Sequence, residues 1–481
     1  MADFIKTKII ATIGPATESE EKIAALISAG ARVFRINSSH ETPEAHKQRI
    51  EKIRKVSCGL GQDIAIMLDL QGPKIRIGNL AEPVELENNL EIFLKPGMES
   101  QEKGVLPVDY PGIIGDVKEG DSMLLDDGKI ELIVKEVFPD RIKAVIKRGG
   151  LLKSRKGLNI PNSSSHSLSV LAERDREYIK FSVENDIDYL ALSFVRNRED
   201  ILETKKCLNG FNSYIPIIAK IEKPQAVENL DSILHVSDGV MVARGDLGIE
   251  ISPEHVPIVQ KLIINQANNH RKPVIVATQM LDSMIEQPIP TRAEASDVAN
   301  AIIDGSDALL LTGETTVGKY PVEVVDMMAK IARNVEVSNL VHFNQVPEVD
   351  EDIYELDSQA IVSAIVKMLS EIEINAIIVL TRTGYTAKLL SKSKPSVPII
   401  SISDDEKVCR LLNLYWGVYP YKLKLLQNFT EDMLKEIDSN LIADTFINKG
   451  DKIIITGALP RITGTKTNFL RLHQVGSVGI V

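Results

Sequence analysis

The run Ile215-Pro-Ile-Ile-Ala-Lys-Ile-Glu222 decides how this chain is to be read. Five mostly apolar residues, Ile215–Ala219, lead into Lys220-Ile221-Glu222, and a continuous apolar run is the pattern of a parallel strand buried on both faces. Three further runs end the same way. Gly239–Ala243 leads into Arg244-Gly245-Asp246, Pro273–Ala277 into Thr278-Gln279-Met280, and Ala308–Leu311 into Thr312-Gly313-Glu314. Helical patterns follow each run. In a (β/α)8 barrel, active sites form where the C-terminal ends of strands meet the following loops. Four strands delivering Lys, Glu, Asp and Thr to one rim describe an enzyme site.

Working outward, Thr7–Ile13, Arg32–Ser38, Ile64–Leu70 and Tyr189–Val195 are four more β-rich runs, which brings the total to the eight that close a barrel. Thr17-Glu18-Ser19-Glu20 is a capping-box pattern ahead of Ile23, Leu26 and Ile27, with Gly30 as the stop. Pro43 stands where a first-turn proline would, ahead of Ile50, Ile53 and Val56. Residues 71–167 are too long for one crossover. They are rich in Gly and Pro, and Ile142, Ala144 and Ile146 alternate with Lys143 and Lys147 as on a half-buried strand. The sequence therefore predicts a TIM (β/α)8 barrel over residues 1–70 and 168–341, with a β-barrel-like lid domain, 71–167, inserted after strand 3. A linker, 342–356, then precedes a C-terminal α/β domain with a Rossmann-like open sheet, 357–481.

Composition excludes several function classes. The net charge is −11, from 56 basic and 67 acidic residues, which is no footprint for nucleic acid. Cys58, Cys207 and Cys409 are too few for a disulfide framework and fit a reducing cytoplasm. Met1-Ala2-Asp3-Phe4 does not open a signal peptide, and no apolar run reaches the roughly 18 residues of a membrane span. A cytoplasmic, membrane-free protein is expected.

Lys220-Ile-Glu222, Ala243-Arg-Gly-Asp246, Ala277-Thr-Gln-Met280, Pro290-Thr-Arg-Ala-Glu-Ala-Ser-Asp-Val-Ala-Asn300 and Thr312-Gly-Glu-Thr315 resemble the signature of the pyruvate kinase family. So do Arg35-Ile-Asn-Ser-Ser-His40, Asp69-Leu-Gln-Gly-Pro-Lys-Ile-Arg76 and Gly157-Leu-Asn-Ile-Pro161. The likeness follows the family's domain order and weakens after about Tyr415. It implies phosphoryl transfer from phosphoenolpyruvate to ADP, giving pyruvate and ATP in glycolysis, with Mg²⁺ or Mn²⁺ as cofactor and a homotetramer as assembly.

The residues support that chemistry independently. Phosphoryl transfer leaves the protein mainly positioning and charge neutralisation, and Mg²⁺ takes one or two carboxylates and fills its octahedron with substrate oxygens and water. Glu222 and Asp246 are the metal-ligand pair. Lys220, two residues before Glu222 on a strand, points to the same face. The resemblance implies that Lys220 stabilises the transferring phosphoryl and the enolate oxygen, and that Thr278 helps protonate the enolate. It also implies that Arg35 grips the substrate phosphate, while the Gly245 and Asp246 amides hold the carboxylate if a helix begins there. Arg76 and Lys156, with His40 and Asn37 nearby, would meet the nucleotide phosphates, and Thr312 and Glu314 would support the rim from behind.

The chain departs from the family at the monovalent-cation position, where Asn37, Ser39 and Asp69 match the residues that bind K⁺ in most members and Leu70 is the fourth residue of the position. The usual Asp-Thr-Lys-Gly-Pro-Glu reads Asp69-Leu70-Gln71-Gly72-Pro73-Lys74 here, so an ammonium replaces a carboxylate. Lys74 resembles the branch that needs no K⁺, with its head near Asp69. Ser38 and Glu41 stand where Phe and Gly are common. In the C-terminal domain, Thr381-Arg-Thr-Gly-Tyr-Thr386 between a strand and a helix forms a phosphate nest. The resemblance makes Thr381, Thr383, Gly384 and Thr386 a sugar-phosphate effector site. Gly457–Lys466 lacks the Trp of the bisphosphate pattern, so a monophosphate, a nucleotide such as AMP, or no effector stays open. The lone Trp416 reads as a packing residue. Two rival classes share parts of this pattern. A Mg²⁺-dependent enolate-type lyase would lack the lid, Arg76 and Lys156; a non-catalytic phosphometabolite sensor would have no use for the Lys220, Glu222, Asp246 and Thr278 set.

Overall fold

A computed structural model describes residues 5–102, 104–161, 169–338, 340, 356–424, 430–458 and 466–477. The barrel is built from β1 (Lys8–Thr12), β2 (Ala31–Asn37) and β3 (Ala65–Asp69). After the lid come β12 (Tyr189–Leu192), β13 (Ile217–Ile221), β14 (Gly239–Ala243), β15 (Val274–Ala277) and β16 (Ala308–Leu311). All eight pair in parallel and close in the order β1-β16-β15-β14-β13-β12-β3-β2. The apolar runs named above are these strands, displaced by no more than a few residues at their ends, and apart from Arg32, Arg35 and Asn37 of β2 and Lys220 of β13 the strand residues are buried.

Helices line the outside because their apolar stripes match the strand surface. Ile23, Leu26 and Ile27 of helix Glu20–Ala29 are buried, and Gly30 ends it at φ 121°, where a side chain would be strained. One detail differs from the sequence reading. Ser19, not Thr17, caps this helix, accepting from the Lys22 amide, while Thr17 is buried and donates its hydroxyl to the Thr315 carbonyl at 2.9 Å. A tertiary acceptor almost 300 residues away outcompetes the local cap. Thr291 and Glu294 do form a capping box on helix Arg292–Ile303, and Pro43 does sit in the first turn of helix Pro43–Gly59.

The lid strands are β4 (Val84–Leu86), β5 (Glu91–Pro96), β6 (Val105–Val108), β7 (Ser122–Leu125), β8 (Ile130–Val137), β9 (Ile142–Arg148), β10 (Gly150–Leu152) and β11 (Leu158–Asn159). Six form a sheet ordered β11-β7-β8-β9-β5-β6, and β10 pairs with β4. The expected alternation holds: Ile142, Ala144 and Ile146 face the lid core.

The linker proposed for 342–356 lies almost wholly outside the described residues. Beyond it, helix Leu356–Glu371 leads into β17 (Ala376–Leu380), β18 (Ile399–Ser403), β19 (Val418–Lys422), β20 (Lys452–Gly457) and β21 (Phe469–Gln474). The open sheet runs β19-β18-β17-β20-β21, with only β21 antiparallel.

The C-terminal domain docks under the barrel, opposite the rim. Ile10, Val33, Met67, Tyr189, Ile218, Met241, Ile275 and Leu310, inside the barrel, belong to one buried cluster with Val379, Leu412, Leu414 and Tyr415 of the C-terminal domain. The joint is also ionic. Asp307, at the foot of β16, is wholly buried and takes Lys392 Nζ at 2.5 Å and Lys394 Nζ at 2.9 Å. Arg410 reaches Asp188 at 2.8 Å. Trp416 is buried here, with the Lys394 ammonium 4.8 Å from its ring centroid, so its packing role is met.

Candidate active site

The rim gathers side chains from all eight strands or the residues just after them. Lys220, near the end of β13, sits at its centre. Its ammonium lies 2.8 Å from Glu222 Oε1 and 3.3 Å from Asp69 Oδ1, and donates to Ser193 Oγ at 2.7 Å. Lys220 and Glu222 share a face because they are two apart on a strand. Asp69, at the end of β3, also accepts from Arg35 Nε of β2 at 2.7 Å. Arg35 donates in turn to Thr12 Oγ1 of β1 at 3.2 Å.

The electrostatics follow from burial and sign. Burial alone would lower the Lys220 pKa, but the Asp69 and Glu222 carboxylates outweigh it and hold the ammonium charged. Burial would raise Asp69; Lys220 and Arg35 overcome it and keep the carboxylate ionised. Glu222 is different. Burial and the Asp246 carboxylate, opposed by Lys220, push it up to about 7. A buried acid whose charge is destabilised by burial and by a second acid at the mouth of a barrel offers, with that second acid, hard oxygen donors for a cation. That donor set suits Mg²⁺ or Mn²⁺. Glu222 is aimed by the Phe194 amide, which donates to Oε2 at 2.7 Å from a residue at φ 56°.

Helix Arg244–Glu250 begins directly after β14, so the condition attached to the Gly245 and Asp246 amides, that a helix start there, is met. The Gly245 amide donates here to Thr278 Oγ1 at 2.8 Å, and that hydroxyl donates to the Ala277 carbonyl at 2.6 Å. Thr278 and Gln279 both hold positive φ, 69° and 52°. Such a turn is strained for a β-branched residue, and Arg244 holds it. Its guanidinium donates to the Thr278 carbonyl at 2.7 Å and the Gln279 carbonyl at 3.0 Å, and pairs with Asp297 at 2.6 Å. Glu314, wholly buried, accepts from the Thr312 amide at 2.8 Å and the Leu281 amide at 3.2 Å, and so ties β16 to the loop after β15.

Other sequence candidates are less concentrated. Asn37 Oδ1 accepts from the Ser39 amide at 3.1 Å. His40 is exposed, and its carbonyl accepts from His46 Nε2 at 2.9 Å. Glu41 takes φ 66°, the left-handed conformation that explains Gly at this position in the family. Buried Ser38 donates to the Asp69 carbonyl at 2.8 Å. Leu70 accepts from Ser193 Oγ at 2.7 Å through its carbonyl. Lys74 does not meet Asp69 in this structure; its ammonium lies 3.9 Å from Asp127 Oδ1 of the lid. Lys156 pairs with Asp126 at 2.6 Å, and Arg76 donates to the Arg155 carbonyl at 3.0 Å. In the C-terminal nest, Gly384 has φ 79° and its amide donates to Thr381 Oγ1 at 2.9 Å. Thr386 meets the Thr467 hydroxyl, and Thr383 is exposed. Most of Gly457–Lys466 lies outside the described residues.

Sequence reasoning missed Ser193, Thr12 and the Arg244–Asp297 brace. Ser193 was findable, since it follows β12 just as Glu222 closes β13. The brace joins residues 53 apart and left no local signal.

Two family models match the chain. The model for the pyruvate kinase barrel domain matches residues 4–325, and that for the pyruvate kinase alpha/beta domain matches residues 359–473. The chain is 41% identical over 477 residues to a pyruvate kinase of Sporosarcina psychrophila, covering 98% of this chain and 81% of that one. It is 41% identical over 478 residues to a pyruvate kinase of Staphylococcus aureus strain MRSA252, covering 98% and 80%.

Proposed function

The chain belongs to the pyruvate kinase family of phosphotransferases, and from that premise we propose that it moves a phosphoryl group from phosphoenolpyruvate to ADP. The carrying observation is the Lys220 ammonium held between Asp69, Glu222 and Ser193 on the rim, with the Asp246 carboxylate in electrostatic reach of Lys220 and Glu222. A Mg²⁺ or Mn²⁺ ion held by Glu222 and Asp246 would supply charge neutralisation for the phosphate and the enolate oxygen. Arg35 steadies the phosphoryl oxygens as the bond from phosphorus to the enol oxygen breaks and one to the ADP terminal phosphate forms. Lys220 stays protonated throughout, because its two carboxylate neighbours hold it so, and it faces the oxygen that gains charge. The substrate carboxylate replaces the Thr278 hydroxyl at the Gly245 amide. Thr278, freed from that bond, directs a proton to the methylene carbon of the enolate, which completes pyruvate. Arg76 and Lys156 carry the nucleotide phosphates once they leave their lid partners, with Asn37 and His40 beside them, and the lid excludes water that would compete as acceptor.

Activity without K⁺ is part of this reading. Asp69 already accepts from Arg35 and Lys220, so its charge is balanced by the protein, and Lys74 adds a further ammonium to the same loop. The proposal extends to a cytoplasmic homotetramer regulated through Thr381, Thr383, Gly384 and Thr386 by a sugar phosphate or AMP. Among the described residues no helix is long and apolar enough to cross a membrane. The deciding experiment is pyruvate release from phosphoenolpyruvate plus ADP and Mg²⁺ in K⁺-free buffer, repeated without ADP. ADP-dependent pyruvate supports the reading; ADP-independent turnover points to a lyase, and metal binding with no turnover points to a sensor.

A further inference from the structure

Far from the rim, helix Leu230–Val236 and the end of helix Val256–Asn269 bring together Asp231, His235 and His270. Asp231 and His235 are four apart, hence on one helix face. His270 is the residue that caps the second helix, and its ring turns back across the gap. Its Nε2 lies 2.9 Å from Asp231 Oδ1, and His235 Nδ1 lies 3.5 Å from Asp231 Oδ2. The two imidazoles meet edge to face, 4.8 Å between centroids. One ligand atom from each residue falls within 4.8 Å of the others.

We propose that Asp231, His235 and His270 form a second metal site, selective for a borderline transition ion of the Zn²⁺, Ni²⁺ or Co²⁺ class. Two imidazoles and one carboxylate are the wrong donors for Mg²⁺, which demands oxygen. They are the right ones for an ion bound at about 2.0–2.2 Å. Ligand atoms around such an ion stand roughly 3.3 Å apart, so the present set, within 4.8 Å, has only a modest contraction to make. The Asp231 carboxylate already meets the His270 ring, while His235 Nδ1 now bonds the Asp231 backbone carbonyl at 2.9 Å and would exchange that bond for the ion or turn Nε2 to it; solvent reaches the carboxylate at 75% exposure, which leaves room for a water to complete a tetrahedron. The two helices precede β14 and β15, the strands that carry Asp246 and Thr278. A bound ion would therefore staple the feet of those two strands without touching the rim.

The test uses the full-length protein with saturating Mg²⁺, so that Glu222 and Asp246 are occupied. Co²⁺ is titrated and followed by its visible absorption, with Zn²⁺ followed by calorimetry. The expected result is one equivalent, a nitrogen-ligated tetrahedral Co²⁺ band, and a higher melting temperature with Zn²⁺. Glu222→Gln should keep all three signals. His270→Asn and His235→Asn, each with a native circular dichroism spectrum, should weaken binding at least about tenfold, since losing even an outer partner of a metal ligand costs that much. Binding unaffected by either histidine change, or none below about 100 µM metal, overturns the proposal; Asp231→Asn gives the same readout should either histidine variant fail to fold.

Discussion

Asp307→Asn should damage the protein more than any other single-atom change outside the rim. The carboxylate lies between two fully buried ammonium groups, Lys392 and Lys394, and also accepts from the Val274 amide at 2.8 Å. An asparagine keeps the shape but removes the only negative charge in that contact, and its NH₂ must face either an ammonium or an amide. Breaking a buried pair from one side typically costs about 3–5 kcal/mol. At roughly 2–4 °C per kcal/mol for a domain of this size, the first unfolding transition should fall by about 10 °C. The pH dependence gives a second check. Burial pulls Lys394 down to about 8, with Asp307 resisting, against about 10.4 when unfolded. Between those values the unfolded chain holds the extra proton, so the Lys394 contribution to stability is full above the unfolded value and is lost as pH falls toward 8. Without Asp307 the folded pKa drops further, so the deficit of the variant should be largest below neutrality and shrink as pH climbs toward 8. Calorimetry at pH 6, 7, 8 and 9 measures it. A loss under about 1 kcal/mol, or a deficit that widens with pH, refutes the reasoning. Lys392→Met with Lys394→Met added to Asp307→Leu should recover most of the stability.

Further outcomes are expected. Lys220→Met should lower kcat by about 10²–10³, as loss of one preorganised donor does, with little change in the KM for ADP in a steady-state assay. Ser193→Ala removes one hydrogen bond that orients Lys220 and should lower kcat roughly tenfold, about 1.4 kcal/mol, with unchanged melting temperature to within a few degrees. At fixed ionic strength, exchanging Na⁺ for K⁺ should leave turnover unchanged, and Lys74→Glu should make turnover rise with added K⁺; a manyfold K⁺ activation of the wild type contradicts the assignment of Lys74. Gly239→Ala puts a Cβ 2.7 Å from Ile218 Cδ1 and 3.0 Å from the Pro273 carbonyl oxygen, and overpacking of that sort should cost about 1–3 kcal/mol in urea unfolding.

The barrel was legible because a strand buried on both faces leaves an uninterrupted apolar run, and the four runs from Ile215 to Leu311 each lead into polar residues at the rim. The rim followed from the period of two, which put Lys220 and Glu222 on one side. Contacts between strands left no such trace. Asp69 is adjacent to Lys220 only because β12 alone separates β3 from β13 in the closed ring, and Arg244 braces Thr278 only because β14 and β15 are neighbours. In the C-terminal domain β19 is hard to read from sequence, since Pro420 in Val418-Tyr-Pro-Tyr-Lys422 looks like a break. The edge position of β19 explains why the proline is tolerated. The Lys74 side chain could not be placed from sequence, because an ammonium on a flexible stem follows whichever carboxylate the lid brings within reach.

The cluster that joins Met67, Tyr189 and Ile275 to Leu412 and Tyr415 means that the barrel has no floor of its own. Cutting the chain ahead of Leu356 would not release an autonomous enzyme with a regulatory appendage removed; it would pull the stopper from a vessel and wet the inward layer of every strand. The two parts should therefore melt together, and a barrel fragment expressed alone should be found in inclusion bodies.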